Sequence, residues 1–262
     1  AFAAGLSHAT RQASGVEPTY GTSTRSSTWR SAPSSPAPPC RAMSTASYDV
    51  SADGRVVVTT WRVAEAAGSW RSTLVVLAGG EQRTLLDDPD LEYGAPRISP
   101  DGRLVAVTRS TRSTPTEPPD SHLVVLPVDG SAAPREVAPG WDRWPLERRW
   151  TPDGSALLVT ADEGGSCPVF RLDLSTGEVV RLTGDAGAYG ALQVSPDGLR
   201  CYAIRSALDA APAPVRFDAR TPDQQPELLL GPVDELALPG TLEEVTATAA
   251  DGTHLHSWLA LP

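Results

Sequence analysis

The chain has 262 residues, 40% of them hydrophobic, enough for one large domain with a buried core. All 22 basic residues are arginine, and the net charge of −10 is uneven: residues 1–47 hold four Arg and one Glu, whereas the remainder holds 18 Arg against 31 acids, a net −13. A folded part this acidic excludes nucleic acid and anionic membrane as natural partners, and no apolar run approaches the roughly 18–20 residues of a membrane span.

Residues 1–47 contain ten Ser, six Thr and five Pro, including the run Ser34-Ser35-Pro36-Ala37-Pro38-Pro39. This composition buries too little apolar surface to fold alone. The segment reads as low-complexity: a disordered tail, or non-native residues of the kind a wrong reading frame yields in GC-rich DNA. The absence of Lys and Asn, whose codons are AT-rich, points to such a genome. The first residues lack the charged start and long apolar core of a secretory leader.

From residue 48 a turn motif recurs: Ser51-Ala52-Asp53-Gly54, Ser99-Pro100-Asp101-Gly102, Thr151-Pro152-Asp153-Gly154 and Ser195-Pro196-Asp197-Gly198. Pro presets the second position of a type I turn, Ser, Thr and Asp bond the local backbone, and Gly supplies the fourth position. Each copy opens a strand-like run: Val56–Val58, Leu104–Val107, Ala156–Val159 and Cys201–Ile204. A second strand follows each: Leu74–Leu77, Leu123–Leu126, Val169–Leu172 and Val215–Phe217. A third is predicted at Glu178–Leu182, after the turn Ser175-Thr176-Gly177. The motifs start 48, 52 and 44 residues apart. That is the period of a four-stranded propeller blade. The expected fold is therefore all-β: a partial β-propeller of about four four-stranded blades over residues 48–240, with no long helix.

Residues 241–262 break the period. Glu243–Thr248 alternates, Ala249-Ala250-Asp251-Gly252 turns, and His254–Leu261 forms a second strand, so a hairpin is predicted.

Four blades marked by Asp-Gly turns, three of them Pro-Asp-Gly, followed by Asp251-Gly252-Thr253-His254-Leu255 and Trp258-Leu259, resemble the prolyl oligopeptidase family of serine peptidases. The bacterial acylaminoacyl peptidases and dipeptidyl aminopeptidases are the most similar group, and the resemblance covers about residues 48–262. Further local matches are Leu91–Pro96 and Trp141–Pro145. It implies an N-terminal propeller joined to a C-terminal α/β-hydrolase domain, with residues 241–262 as the start of that domain. Two departures stand out. Family propellers have about seven or eight blades, and only four are legible. The nucleophile elbow Gly-x-Ser-x-Gly is missing: the nearest string, Gly164-Gly165-Ser166-Cys167-Pro168, lacks the last Gly and lies between two strands.

No catalytic, cofactor-binding or metal-binding residue is therefore assigned, no cofactor is expected, and the chain reads as a peptidase fragment without its triad. The implied function is substrate gating for a serine peptidase of short peptides, with its own hydrolase domain as partner. The alternative is a stand-alone propeller used for binding or scaffolding. The cysteines Cys40, Cys167 and Cys201, odd in number and without Cys-x-x-Cys spacing, argue against a disulfide framework or zinc site and favour a cytoplasmic protein.

Five groups of residues are candidate sites. His254 and His256 share one strand face but are too few for a metal. His122 and His8 lack sequence partners. Asp87, Asp88, Asp90 and Glu92 form the densest acidic cluster, read either as an attractor for a substrate ammonium or as a solvated inter-blade loop. Arg148 and Arg149, beside Trp150, could stack or pair with carboxylates, and ion pairing to acids of neighbouring blades is the expectation; Trp141-Asp142 is not read as a WD repeat.

Overall fold

The computed structural model describes residues 44–230 and 239–262. Residues 1–43 lie outside the described set, and with them His8, Cys40 and most of the segment read as low-complexity. The described chain contains four antiparallel four-stranded sheets, each in simple sequence order, and one two-stranded sheet. The first sheet is β1 (Ser44–Val50), β2 (Val56–Ala64), β3 (Trp70–Ala78) and β4 (Glu81–Leu86); the second is β5 (Leu91–Ile98), β6 (Leu104–Thr111), β7 (Ser121–Pro127) and β8 (Arg135–Glu136). The third is β9 (Arg148–Trp150), β10 (Ala156–Thr160), β11 (Val169–Asp173) and β12 (Val179–Arg181). The fourth is β13 (Ala188–Val194), β14 (Arg200–Ala207), β15 (Ala210–Asp218) and β16 (Glu227–Leu228). Strands β17 (Thr241–Thr248) and β18 (His254–Leu261) pair, among the described residues, only with each other. These are the blades and the hairpin read from the sequence. The only helix among the described residues is a 3-10 turn at Ala66–Gly68.

Each recurrent motif joins the first two strands of its sheet. In all four, the Gly amide donates to the carbonyl of the Ser or Thr three residues earlier, at 2.8–2.9 Å. The four glycines have φ between 68° and 74°, the left-handed region that costs a side chain. The hydroxyl of the first residue donates to the Asp carboxylate and accepts the amide five residues on, as in Thr151 Oγ1 to Asp153 Oδ1 at 2.6 Å and Ala156 N to Thr151 Oγ1 at 3.1 Å.

The sheets stack face to face, with one apolar cluster per seam. Val58, Leu74 and Val76 of the first sheet meet Ile98, Val105, Val107, Val124 and Leu126 of the second. Ala106, Leu123 and Val125 meet Leu157, Val159, Phe170 and Leu172 of the third. Leu158 and Val169 meet Cys201, Ala203, Val215 and Phe217 of the fourth. Strand alternation sends i and i+1 to opposite seams. Each fully buried Val or Leu contributes on the order of 1.5–3 kcal/mol, offset by the cost of ordering the chain. The outward face of the fourth sheet is bare at Tyr202 and Ile204, whereas on the outward face of the first sheet Tyr48 and Val50 are exposed but Val75 is buried.

The innermost strands of sheets two and four share a bulge. Pairing of β5 with β6 shifts between Gly94 and Arg97, and pairing of β13 with β14 between Gly190 and Gln193. Ala95 (φ 46°) and Ala191 (φ 54°) sit at the matching positions. Strands twist and re-aim at such bulges.

Candidate functional site

Because the recurrent turns occupy one end of the sheets, the β2–β3, β6–β7, β10–β11 and β14–β15 connections gather at the other. The acidic cluster lies there, and arginine claims it. Arg71 grips Asp87 through two bonds of 2.8 and 3.1 Å. Arg112 donates to Glu65 at 2.8 Å, to Ser69 Oγ and to the carbonyls of Trp70 and Pro89. Glu92 accepts from Ser72 Oγ at 2.9 Å. Asp88 caps its own loop by accepting the Asp90 amide. The solvated-loop reading therefore fits this cluster better than an ammonium trap.

His122 finds two acids its sequence neighbourhood concealed. Its Nε2 lies 2.9 Å from Asp120 and its Nδ1 3.1 Å from Glu136, which also accepts from Arg109 at 3.0 Å. His256 contacts Glu244 across the hairpin at 2.8 Å and packs edge-on against Trp258, ring centroids 5.4 Å apart. His254 lies 3.5 Å from Thr248 Oγ1. Among the described residues no cluster of three His, Cys, Asp or Glu side chains could hold a metal.

Arg148 and Arg149 part company. Arg149 pairs with Glu147 of its own inter-sheet segment at 2.9 Å. Arg148 corrects the expectation of an acid partner: it is 3% exposed and donates to the carbonyls of Ala95 at 2.8 Å and Leu146 at 3.0 Å. Burial and the neighbouring Arg97 charge pull its pKa down to about 10. The guanidinium thus ties the bulge of the second sheet to the entry of the third. Trp150 adds a bond from Nε1 to the Arg97 carbonyl at 2.9 Å. Trp141 stacks edge-on against Phe170, a core role rather than a repeat signature.

Ser166 lies in the β10–β11 turn, as its flanking strands implied, and donates to the Glu163 carbonyl at 2.8 Å. Burial raises the Cys167 thiol to about 11 and the Cys201 thiol to about 12, with the Asp162 and Asp218 charges adding to it. Neither is poised as a nucleophile.

A cleft of about 430 Å³ lies at this end, between the hairpin and the loops of the third and fourth sheets. Ala186, Ala188, Ala207, Leu208 and Leu242 line it, with the Trp258 indole, Ser166, Arg205 and Asp209. Trp258 and His256 seat on Gly165. A Cβ there would lie 2.6 Å from His256 Nδ1 and 2.9 Å from Trp258 Nε1, so only glycine admits the hairpin this closely. Beneath the cleft, Arg205 Nε donates to Asp185 at 2.5 Å and the Tyr189 hydroxyl donates to the other Asp185 oxygen. Tyr189 is raised by burial and by that bond. Burial lowers Arg205, but the pairing with Asp185 outweighs it and leaves its pKa raised. Sequence reading missed this group. A signal existed, since Tyr189 opposes Arg205 in the register just as Tyr93 opposes Arg109 two blades earlier.

No family model matches the chain. It is 26% identical over 242 residues to the probable dipeptidyl-peptidase 5 of Arthroderma benhamiae, covering 82% of this chain and 32% of that protein. A further match, 26% over 254 residues, is to the probable dipeptidyl-peptidase 5 of Aspergillus clavatus. The chain spans about a third of the length of these curated relatives, which are fungal rather than the bacterial ones the sequence suggested. Among solved structures, an acylaminoacyl peptidase complex aligns over 85% of this chain and 32% of its own, with TM-score 0.61 and 11% identity. Prolyl oligopeptidase B from Galerina marginata aligns over 82% of this chain and 31% of its own, with TM-score 0.59 and 14% identity.

Proposed function

We propose, on the footing that this chain belongs to the prolyl oligopeptidase family of serine peptidases, that it is the substrate-gating propeller of a hydrolase acting on short peptides. The chemistry in this reading is acyl transfer by a hydrolase domain: Ser attacks, His moves the proton and Asp orients the His. The sheets supply no nucleophile of their own. Their part is to admit short, unfolded peptides and to hold the hydrolase over one end of the stack.

The observation that carries this reading is the hairpin. A binding propeller would close its ring with a final strand on the first or last sheet. Among the described residues, strands β17 and β18 instead pair with each other alone and seat on the β10–β11 turn. Their sequence, Asp251–Leu259, is the part that resembles the family's entry into the hydrolase domain. The end of the sheets that carries the hairpin is then the end facing the hydrolase. A cytoplasmic location belongs to the same proposal and rests on the unpaired thiols of Cys167 and Cys201.

The test is an assay of the 262-residue chain on dipeptidyl p-nitroanilides. The gating role predicts no turnover. Turnover abolished by a fluorophosphonate would place a serine nucleophile in this chain and contradict it.

A further inference from the structure

We infer that the cleft between the hairpin and the third and fourth sheets binds the C-terminal carboxylate of a short peptide ending in an apolar residue, with Arg205 as the carboxylate receptor. The peptide as source rests on the proposed function; the carboxylate chemistry rests on the geometry alone.

Arg205 is held in place rather than loosely exposed. Its Nε donates to Asp185 at 2.5 Å, and Asp185 is in turn fixed by the Tyr189 hydroxyl. With Nε committed to Asp185 and the Tyr189 hydroxyl beside the guanidinium, the Nη nitrogens donate to no further group among the described residues, and Arg205 lines the cleft. The matching arginine of the second sheet, Arg109, spends an Nη on Glu136 at 3.0 Å. The fourth sheet thus departs from its repeat at the position that faces the cleft. A guanidinium oriented through Nε presents its fork to a carboxylate in a fixed geometry.

The rest of the cleft suits the body of such a ligand. Its volume of about 430 Å³ falls within the range of roughly 300–1,000 Å³ usual for ligand sites. Ala186, Ala188, Ala207, Leu208 and Leu242 offer apolar walls, and the Trp258 indole closes one side. That wall exists because Gly165 lets Trp258 approach.

The test is calorimetric titration of the 262-residue chain with the tripeptide Ala-Ala-Leu, its C-terminal amide and 4-methylpentanoate. The free acid is expected to bind at least tenfold more tightly than the amide. The tripeptide is expected to bind more tightly than 4-methylpentanoate, which has the carboxylate without the peptide. Arg205→Gln should erase the acid–amide difference, and Arg205→Lys, which keeps the charge but loses the fork, should reduce it. Trp258→Ala, at the opposite wall, should weaken acid and amide alike. Equal binding of acid and amide, no binding of either, or an unchanged preference in Arg205→Lys of unaltered circular dichroism would overturn the site. 4-Methylpentanoate binding as well as the tripeptide would overturn the peptide as its ligand. Hydrolysis is read by a separate assay, so failure here leaves the gating role standing.

Discussion

The Thr151 hydroxyl donates to Asp153 Oδ1 at 2.6 Å, and the pair repeats at Ser51–Asp53, Ser99–Asp101 and Ser195–Asp197 with distances of 2.5–2.6 Å. Asp153 also accepts the Ser155 amide at 3.0 Å and the Ser155 hydroxyl at 2.8 Å. One carboxylate therefore closes the turn that delivers β10 to the core. Asp153→Ala removes all three bonds at an accessible site and is expected to cost about 1 kcal/mol. Urea unfolding of the variant measures it, and an unchanged midpoint would show that the turn residues merely decorate the strand.

The same carboxylates set a pH dependence. The Thr151 hydroxyl and Ser155 amide hold Asp153 down at about 2, and the equivalent partners lower Asp53, Asp101 and Asp197. Asp173 is lowered too, by the Ser175 hydroxyl and the Thr176 and Ser175 amides. A carboxylate whose folded pKa lies below its unfolded value of about 3.9 stabilises the fold above that pH and ceases to as pH falls through the folded value. The urea midpoint is expected to drop between about pH 4 and pH 2, and Asp153→Asn should shrink the drop. A midpoint flat through that window would refute the role given to these turns.

Arg148 spans the second seam without an acid. Replacing it with Met keeps much of the volume but takes the guanidinium donor from the half-buried Ala95 and Leu146 carbonyls. The expected loss is about 2 kcal/mol. An unaltered or higher unfolding midpoint would mean that desolvating the guanidinium cancels its bonds.

Much of this architecture was legible because its signals are local. A Ser/Thr-x-Asp-Gly turn satisfies itself within six residues, so Ser99 to Leu104 carries its own geometry, and β-branched runs such as Val56-Val57-Val58 mark the strands beside it. The candidate site was far less legible. Asp185, Tyr189 and Arg205 meet only because β13 pairs with β14 in one register. Trp258 reaches the Gly165 carbonyl across 93 residues of chain. The family resemblance located the hairpin but not its seat. Arg148 was read by charge alone, whereas its partners are backbone carbonyls, which sequence does not display.

Gly165 gives the hairpin its seat, so a side chain there should lift it. Gly165→Val places a branched residue at φ 76° and against the His256 and Trp258 rings. Hydrogen exchange is expected to quicken across Thr241–Leu261 while the amides of β10 and β11 stay protected. Unchanged exchange in the hairpin would show that the contact with the third sheet does not hold it.

The central claim is that these sheets gate a serine peptidase, and the most direct measurement is to read the gene beyond the Pro262 codon. The account predicts Gly-x-Ser-x-Gly within roughly the next hundred codons, followed by Asp and then His. An immediate in-frame stop, with no hydrolase sequence downstream in any frame, would contradict it and leave a propeller that binds.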